Sequence, residues 1–255
     1  MKRPALDIAL LAFSFQFAFL PLHAAGRDKQ PCQPYRFEQH SYTLCTAPLS
    51  RFDIQIYWQR PDGTPYAYLS TLPKIGKKGG ELAFALNGGM FHPSYRPVGL
   101  YIEDGRELVR ASTKSGPGNF HLKPNGVFYA GDDGAGVLET GAFLKLRPKA
   151  LFATQSGPML VIDGKLHPRL AKANASAKMR DGVCVRDAAA IFAISEEEVP
   201  FDTFERLFRD GIKCRNALFL DGGSAPALYV PSASRSGNSF LGLGPMIAVY
   251  EKRRP

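Results

Sequence analysis

The sequence predicts an α+β fold: a single domain with a mixed, largely antiparallel β-sheet core and a few packed helices. Three observations carry that expectation. Short runs rich in β-forming residues recur along the 255-residue chain. Asp-Gly pairs separate two couples of these runs, which is the signal of a β-hairpin. The clearest helical periodicity is confined to one late stretch.

The elements follow in order. Phe52 to Trp58 alternates and reads as a strand. Glu81 to Leu86 is a short apolar run that stops at Asn87-Gly88-Gly89. Val98 to Glu103 and Glu107 to Ala111 flank Asp104-Gly105 as a hairpin. Asn125-Gly126 precedes Val127-Phe128-Tyr129, and Gly131 to Gly134 turns the chain. Met159 to Ile162 meets Asp163-Gly164 and returns as Lys165-Leu166. Ala188 to Ile194 and Ala217 to Leu220 read as buried strands. Between them Ser195 is a candidate helix N-cap, and Glu196 to Glu198 place negative charge where a helix start favours it. Pro200 suits a first turn. Phe201, Phe204, Leu207 and Phe208 then repeat at helical spacing as a core-facing stripe that ends near Gly211.

The N-terminus addresses the chain. Lys2 and Arg3 precede an apolar run from Ile8 to Leu20, followed by Pro21 and the small residues Ala24, Ala25 and Gly26. That order is a secretory signal peptide, residues 1–25. The run falls short of the roughly 20 apolar residues a membrane span needs; an uncleaved anchor is the alternative. Residues 26–255 then form one domain, expected to be secreted into the periplasm with no stable membrane insertion once the signal is cut.

Cys32, Cys45, Cys184 and Cys214 form an even set that an oxidising compartment can join as two disulfides in any of three connectivities. Cys32 with Cys45 is the local choice and leaves Cys184 with Cys214; free buried thiols remain the alternative. No Cys or His spacing marks zinc, and no metal or cofactor is expected. The formal net charge of +9 is dispersed along the chain. It suits an anionic substrate or surface and lacks the motif context of a nucleic-acid binder.

Two apolar strands run into polar, glycine-rich loops: Phe84-Ala85-Leu86 into Asn87-Gly88-Gly89-Met90-Phe91-His92, and Leu218-Phe219-Leu220 into Asp221-Gly222-Gly223-Ser224. Glycines there let backbone approach a ligand closely; tight turns are the plainer reading. Thr154-Gln155-Ser156-Gly157-Pro158 sets an amide and a hydroxyl just before a strand. Gly118-Asn119-Phe120-His121 is a fourth polar segment, and in Arg180-Asp181-Gly182 a cation precedes a glycine turn. A serine-hydrolase elbow, a Walker loop and a zincin helix are all absent from the sequence.

The strings NGGMF, GNF, PNGVF, QSGPMLVIDGKLHP and NALFLDGGSAPALYVP occur in that order. Together they resemble the bacterial, YigE-like branch of the phosphodiester glycosidase family, over roughly residues 45 to 250. That family includes the enzyme that uncovers mannose 6-phosphate signals by removing N-acetylglucosamine. The resemblance implies cleavage between a sugar's anomeric carbon and a phosphodiester oxygen. A phosphate leaves readily, so the site needs one carboxylate and a cradle of cations and amide donors rather than the usual carboxylate pair. It further implies Asp221 as that carboxylate with Glu103 in reserve, Arg180 as phosphate clamp and His92 as proton or hydrogen-bond donor. Asn87, Asn119, Gln155 and Ser156 would orient sugar or phosphate oxygens. Gly88, Gly157, Gly222 and Gly223 would offer backbone, and Ser224 extends the loop.

Two departures stand out. An RNGVG-like segment is expected where this chain has Arg180-Asp181-Gly182-Val183-Cys184. The Asn-to-Asp change adds a negative charge, and the cysteine is available for a disulfide with Cys214. Asp221-Gly222-Gly223-Ser224-Ala225 also matches the family's acidic glycine turn only approximately. The rival functions are a non-catalytic periplasmic binder of glycan or sugar phosphate and a structural envelope domain. Convergence of Asp221, Arg180 and Asn87 on one pocket distinguishes an enzyme from the structural reading.

Overall fold

The computed structural model describes residues 30–170, 176–233 and 242–253; the expected signal segment lies outside these residues. The first strands are β1 (Cys32–Phe37), β2 (His40–Pro48), β3 (Phe52–Tyr57), β4 (Glu81–Asn87), β5 (Tyr101–Glu103) and β6 (Arg106–Val109). β7 (Gly126–Gly131) and β8 (Gly134–Glu139) lead into helix α1 (Thr140–Leu146), then β9 (Phe152–Ser156), β10 (Met159–Ile162) and β11 (Lys165–Leu166). β12 (Arg180–Arg186), β13 (Ala189–Ser195), helix α2 (Phe201–Arg206), β14 (Ala217–Gly222), β15 (Leu228–Tyr229) and β16 (Met246–Glu251) complete the order.

The strands form three sheets: β1-β2-β13-β12-β14-β10-β11, β15-β4-β16-β3 and β6-β5-β9-β7-β8. Every strand pairing among the described residues is antiparallel. One face of each sheet turns to a common core, to which the first gives Phe192 and Leu220, the second Ile56 and Phe84, and the third Phe128 and Phe152. The opposite faces carry smaller clusters. α2 covers the first sheet through Phe201 and Phe204. Leu69 and Leu72 cover the second, and Phe143 of α1 covers the third. Strands buried on both faces read as continuous apolar runs, and for this reason β13 and β14 were legible as buried. No helix of the described residues is long and apolar enough to cross a membrane.

Local chemistry sets the element ends. The Glu139 side chain accepts the Ala142 amide at 3.0 Å and caps α1, which ends at Arg147 in the left-handed region (φ 45°). Asp104-Gly105 and Asp163-Gly164 turn the two predicted hairpins. Both disulfides form: Cys32–Cys45 joins facing residues of β1 and β2, and Cys184–Cys214 ties β12 to the segment after α2.

Two expectations are corrected, the helix start and one turn. Ser195 is the last residue of β13 rather than a helix cap, and its hydroxyl accepts the Arg180 amide at 2.9 Å. α2 begins at Phe201 after Pro200 and continues as a π-type turn, Leu207–Gly211. Arg180-Asp181-Gly182 is not a turn but the start of β12, where Gly182 is required by packing: a Cβ there would lie 2.8 Å from the Leu218 carbonyl oxygen.

Candidate active site

The ends of β4 and β14 meet the start of β12, and each contributes one polar side chain: Asn87, Asp221 and Asp181. A β-bulge makes the meeting possible. Asp181 faces Asp221, but the next residue, Gly182, faces Phe219, so Leu220 is an extra residue on β14. An extra residue breaks strict alternation and re-aims the side chains beyond it. Leu220 enters the common core while Asp221 comes to lie against Asp181. Side chains take up backbone groups at the irregularity. The Ser156 hydroxyl donates to the Leu220 carbonyl at 2.6 Å, and the Asp221 amide donates to Asp181 Oδ1 at 2.9 Å.

The two carboxyl groups differ in setting. Asp221 is part-exposed and accepts the Gly222 amide on Oδ1 at 2.8 Å. Burial pushes its pKa up to about 6, and the Gly222 amide acts in the opposite direction. Asp181 is fully buried. Burial first, and the neighbouring Asp221 charge second, raise its pKa well above the usual carboxylate range. Asn87 is 1% exposed, and its Oδ1 accepts the Ala227 amide at 2.9 Å. Its amide nitrogen lies beside the Asp181 carboxyl without good hydrogen-bond geometry, so Asn87 Nδ2 and Asp181 Oδ2 are both unpartnered among the described residues.

Glycines bring the surrounding loops close. The Gly88 amide donates to the Pro245 carbonyl at 2.7 Å, and a Cβ on Gly88 would lie 2.9 Å from that oxygen. The Gly223 amide reaches the Met179 carbonyl at 3.0 Å with φ at 70°, a left-handed conformation that glycine adopts without strain. A Cβ on Gly222 would lie 2.9 Å from the Phe219 ring. Ser224 is exposed on the same loop.

Other sequence-predicted residues stand apart from this cluster. Arg180 departs most from its expected role as a clamp. Its side chain is 2% exposed; Nε donates to the Val199 carbonyl at 2.7 Å and Nη2 to the Ser176 carbonyl at 3.0 Å. The guanidinium carbon lies 3.5 Å from the Phe201 ring centroid, a cation–π contact under α2. Strand alternation turns Arg180 to the face opposite Asp181, and burial lowers its pKa to about 10.

Gln155 is also structural. Its Oε1 accepts the amides of Leu100 and Ser112, both at 2.9 Å, while Nε2 donates to the Ser112 carbonyl at 2.8 Å and Thr140 Oγ1 at 3.1 Å. That saturates the amide. Glu103 sits in the β5–β6 hairpin, accepting the Tyr101 hydroxyl at 2.7 Å and pairing with Lys77 at 3.3 Å. Tyr101 faces Thr154, so Glu103 is level with Phe152, roughly 13 Å along β9 from Ser156 at strand rise. His92 is exposed in a turn closed by its own amide on the Arg96 carbonyl. Asn119 opens a single 3-10 turn, Asn119–His121. Gly157 is a packing glycine whose Cβ would meet the Asn125 Cβ at 2.6 Å.

Asp181 was not among the predicted site residues. Its signal was the acidic residue two places before Val183 and four before Val185, both of which meet the common core. Reading the segment as a turn concealed that alternation.

Comparison with known proteins agrees with this architecture. Residues 80–249 match the phosphodiester glycosidase family model. The chain is 36% identical over 204 residues to the uncharacterized protein YigE of Escherichia coli (strain K12), covering 80% of this chain and 79% of that protein. It also resembles the catalytic domain of zebrafish N-acetylglucosamine-1-phosphodiester alpha-N-acetylglucosaminidase, auto-inhibited by its pro-peptide, with a TM-score of 0.57 at 14% identity. That match covers 86% of this chain and 81% of the zebrafish domain. A hypothetical protein from Synechocystis superposes with a TM-score of 0.51 at 12% identity, over 86% of this chain and 61% of that protein. These two structural likenesses concern fold alone. By its family model and its YigE relative, the chain belongs to the phosphodiester glycosidase family.

Proposed function

We propose that the chain hydrolyses a sugar-1-phosphodiester, with Asp221 as the carboxylate at the anomeric carbon. The observation that carries this reading is the meeting of Asn87, Asp181 and Asp221 at three strand ends in a chain of this family. Water attacks the anomeric carbon and gives its proton to Asp221. The bond from that carbon to the phosphodiester oxygen breaks, and its electron pair leaves on the phosphate. The products are a free sugar and a phosphate monoester. A carboxylate with a pKa of about 6 is ionised at neutral pH yet more basic than an ordinary one, which suits a general base. The exposed Ser224 on the Gly222–Gly223 loop offers its hydroxyl as a donor to the anionic substrate.

The two disulfides fit an oxidising compartment. Together with the N-terminal charge and apolar run they support secretion to the periplasm, with residues 1–25 removed and envelope glycans as the source of substrate. The engagement of Arg180 favours a second reading, a non-catalytic glycan-phosphate binder, because it withdraws the cation expected to neutralise the leaving group. The test is release of free sugar from a panel of sugar-1-phosphodiesters, nucleotide sugars included, by the purified mature chain. Release that disappears in folded Asp221→Asn supports the hydrolase. Binding without release supports the binder, and near-normal release by Asp221→Asn removes that residue from the chemistry.

A further inference from the structure

Asp181 poses an electrostatic problem. Its carboxyl is fully buried, one oxygen accepts the Asp221 amide, and the other has no partner among the described residues. The groups packed against it offer no countercharge. β14 presents Asp221, also a carboxylate. β4 presents the neutral amide of Asn87. Across the ladder β13 presents Ile194, and the adjacent Ser195 hydroxyl is occupied by the Arg180 amide. On its own strand, the Arg180 guanidinium is held on the opposite face by Val199, Ser176 and Phe201. A buried anion without a cation is costly, and two adjoining carboxylates retain a proton between them.

We infer that Asp181 keeps a proton at neutral pH and acts as a neutral positioning residue, so that the pair presents a single negative charge, on Asp221, to the substrate. The uncharged acid keeps the one acceptor its position uses: its carbonyl oxygen holds the Asp221 amide at the bulge. A phosphodiester would then meet one anion rather than two. This rests on the hydrolase reading only for its kinetic consequence; the protonation itself is a property of the folded chain.

The sign of the stability effect follows from the raised proton affinity. The folded state binds this proton more tightly than the unfolded state, so the stability it contributes is complete below the unfolded carboxyl range. It is lost as pH rises through the folded pKa. Asp181→Asn removes that loss while keeping a carbonyl for the Asp221 amide. Its Tm should match wild type near about pH 4 and exceed it by a margin that widens toward about pH 8. In turnover, wild type should lose activity on the alkaline side as the second proton leaves, and that alkaline limb should be flat in Asp181→Asn. Asp181→Ala, with no acceptor for the Asp221 amide, should lower kcat by about tenfold or more. NMR titration of the wild-type chain with carbon-labelled aspartate, which needs no variant, should show one carboxyl still protonated at neutral pH. No aspartate still protonated at neutral pH, or equal pH dependence of Tm in wild type and Asp181→Asn, would overturn the inference. A protonated Asp181 in a chain without turnover would leave it standing and defeat only the hydrolase reading.

Discussion

Arg180 and Asp181 are consecutive residues with opposite fates, decided by the alternation of β12. Arg180 points under α2, where two carbonyls and an aromatic ring hold its guanidinium. Truncating it empties a fully buried site beneath Phe201 and takes from the Val199 carbonyl one of its two donors, the Lys178 amide being the other. Arg180→Ala should therefore lose about 2–4 kcal/mol in urea unfolding. Unchanged stability with a raised KM would instead restore the phosphate clamp. Asp221 makes a pH prediction at the same scale. Because burial raises its pKa to about 6, kcat/KM should climb as pH rises through that value and the base ionises. At this scale the sequence was only partly legible. The strand-end positions of Asp221 and Asn87 were readable because an apolar run that gives way to a polar residue and glycines marks where a strand stops. The internal engagement of Gln155 was not legible because its four hydrogen-bond partners come from Leu100, Ser112 and Thr140, distant in sequence.

Elements were legible where turn chemistry announced them and hidden where it did not. The Asp104-Gly105 and Asp163-Gly164 hairpins form as read. β12 did not look like a strand because Asp181-Gly182 resembles a turn pair; only packing against Leu218 and Phe208 explains the glycine. The bulge in β14 left no local mark, since it is defined by register against β12. Its integrity can be tested through Ser156. Ser156→Ala deprives the Leu220 carbonyl of its donor and should cost about 1–3 kcal/mol. It should also reduce kcat more than it changes KM, because the strand end carrying Asp221 loosens. Wild-type kcat in the alanine variant would show that the bulge holds Asp221 without the hydroxyl.

Across the whole molecule, three antiparallel sheets share one core, and small helices or loops cover their outer faces. The α+β class was readable from many short strands and one clear helix; the partition into three sheets depends on long-range pairings such as β2 with β13. The Cys184–Cys214 bridge spans a sequence separation of 30. Replacing both with serine should cost roughly 3–4 kcal/mol in the chain-entropy account, read by denaturant unfolding. The central claim concerns which bond the folded chain breaks, and hydrolysis in isotopically heavy water tests it most directly. Mass spectrometry of the phosphate product distinguishes the two bonds. Attack at the anomeric carbon leaves that phosphate with only light oxygen, which is the predicted result. Heavy oxygen in the phosphate would mean cleavage at phosphorus and would contradict the account.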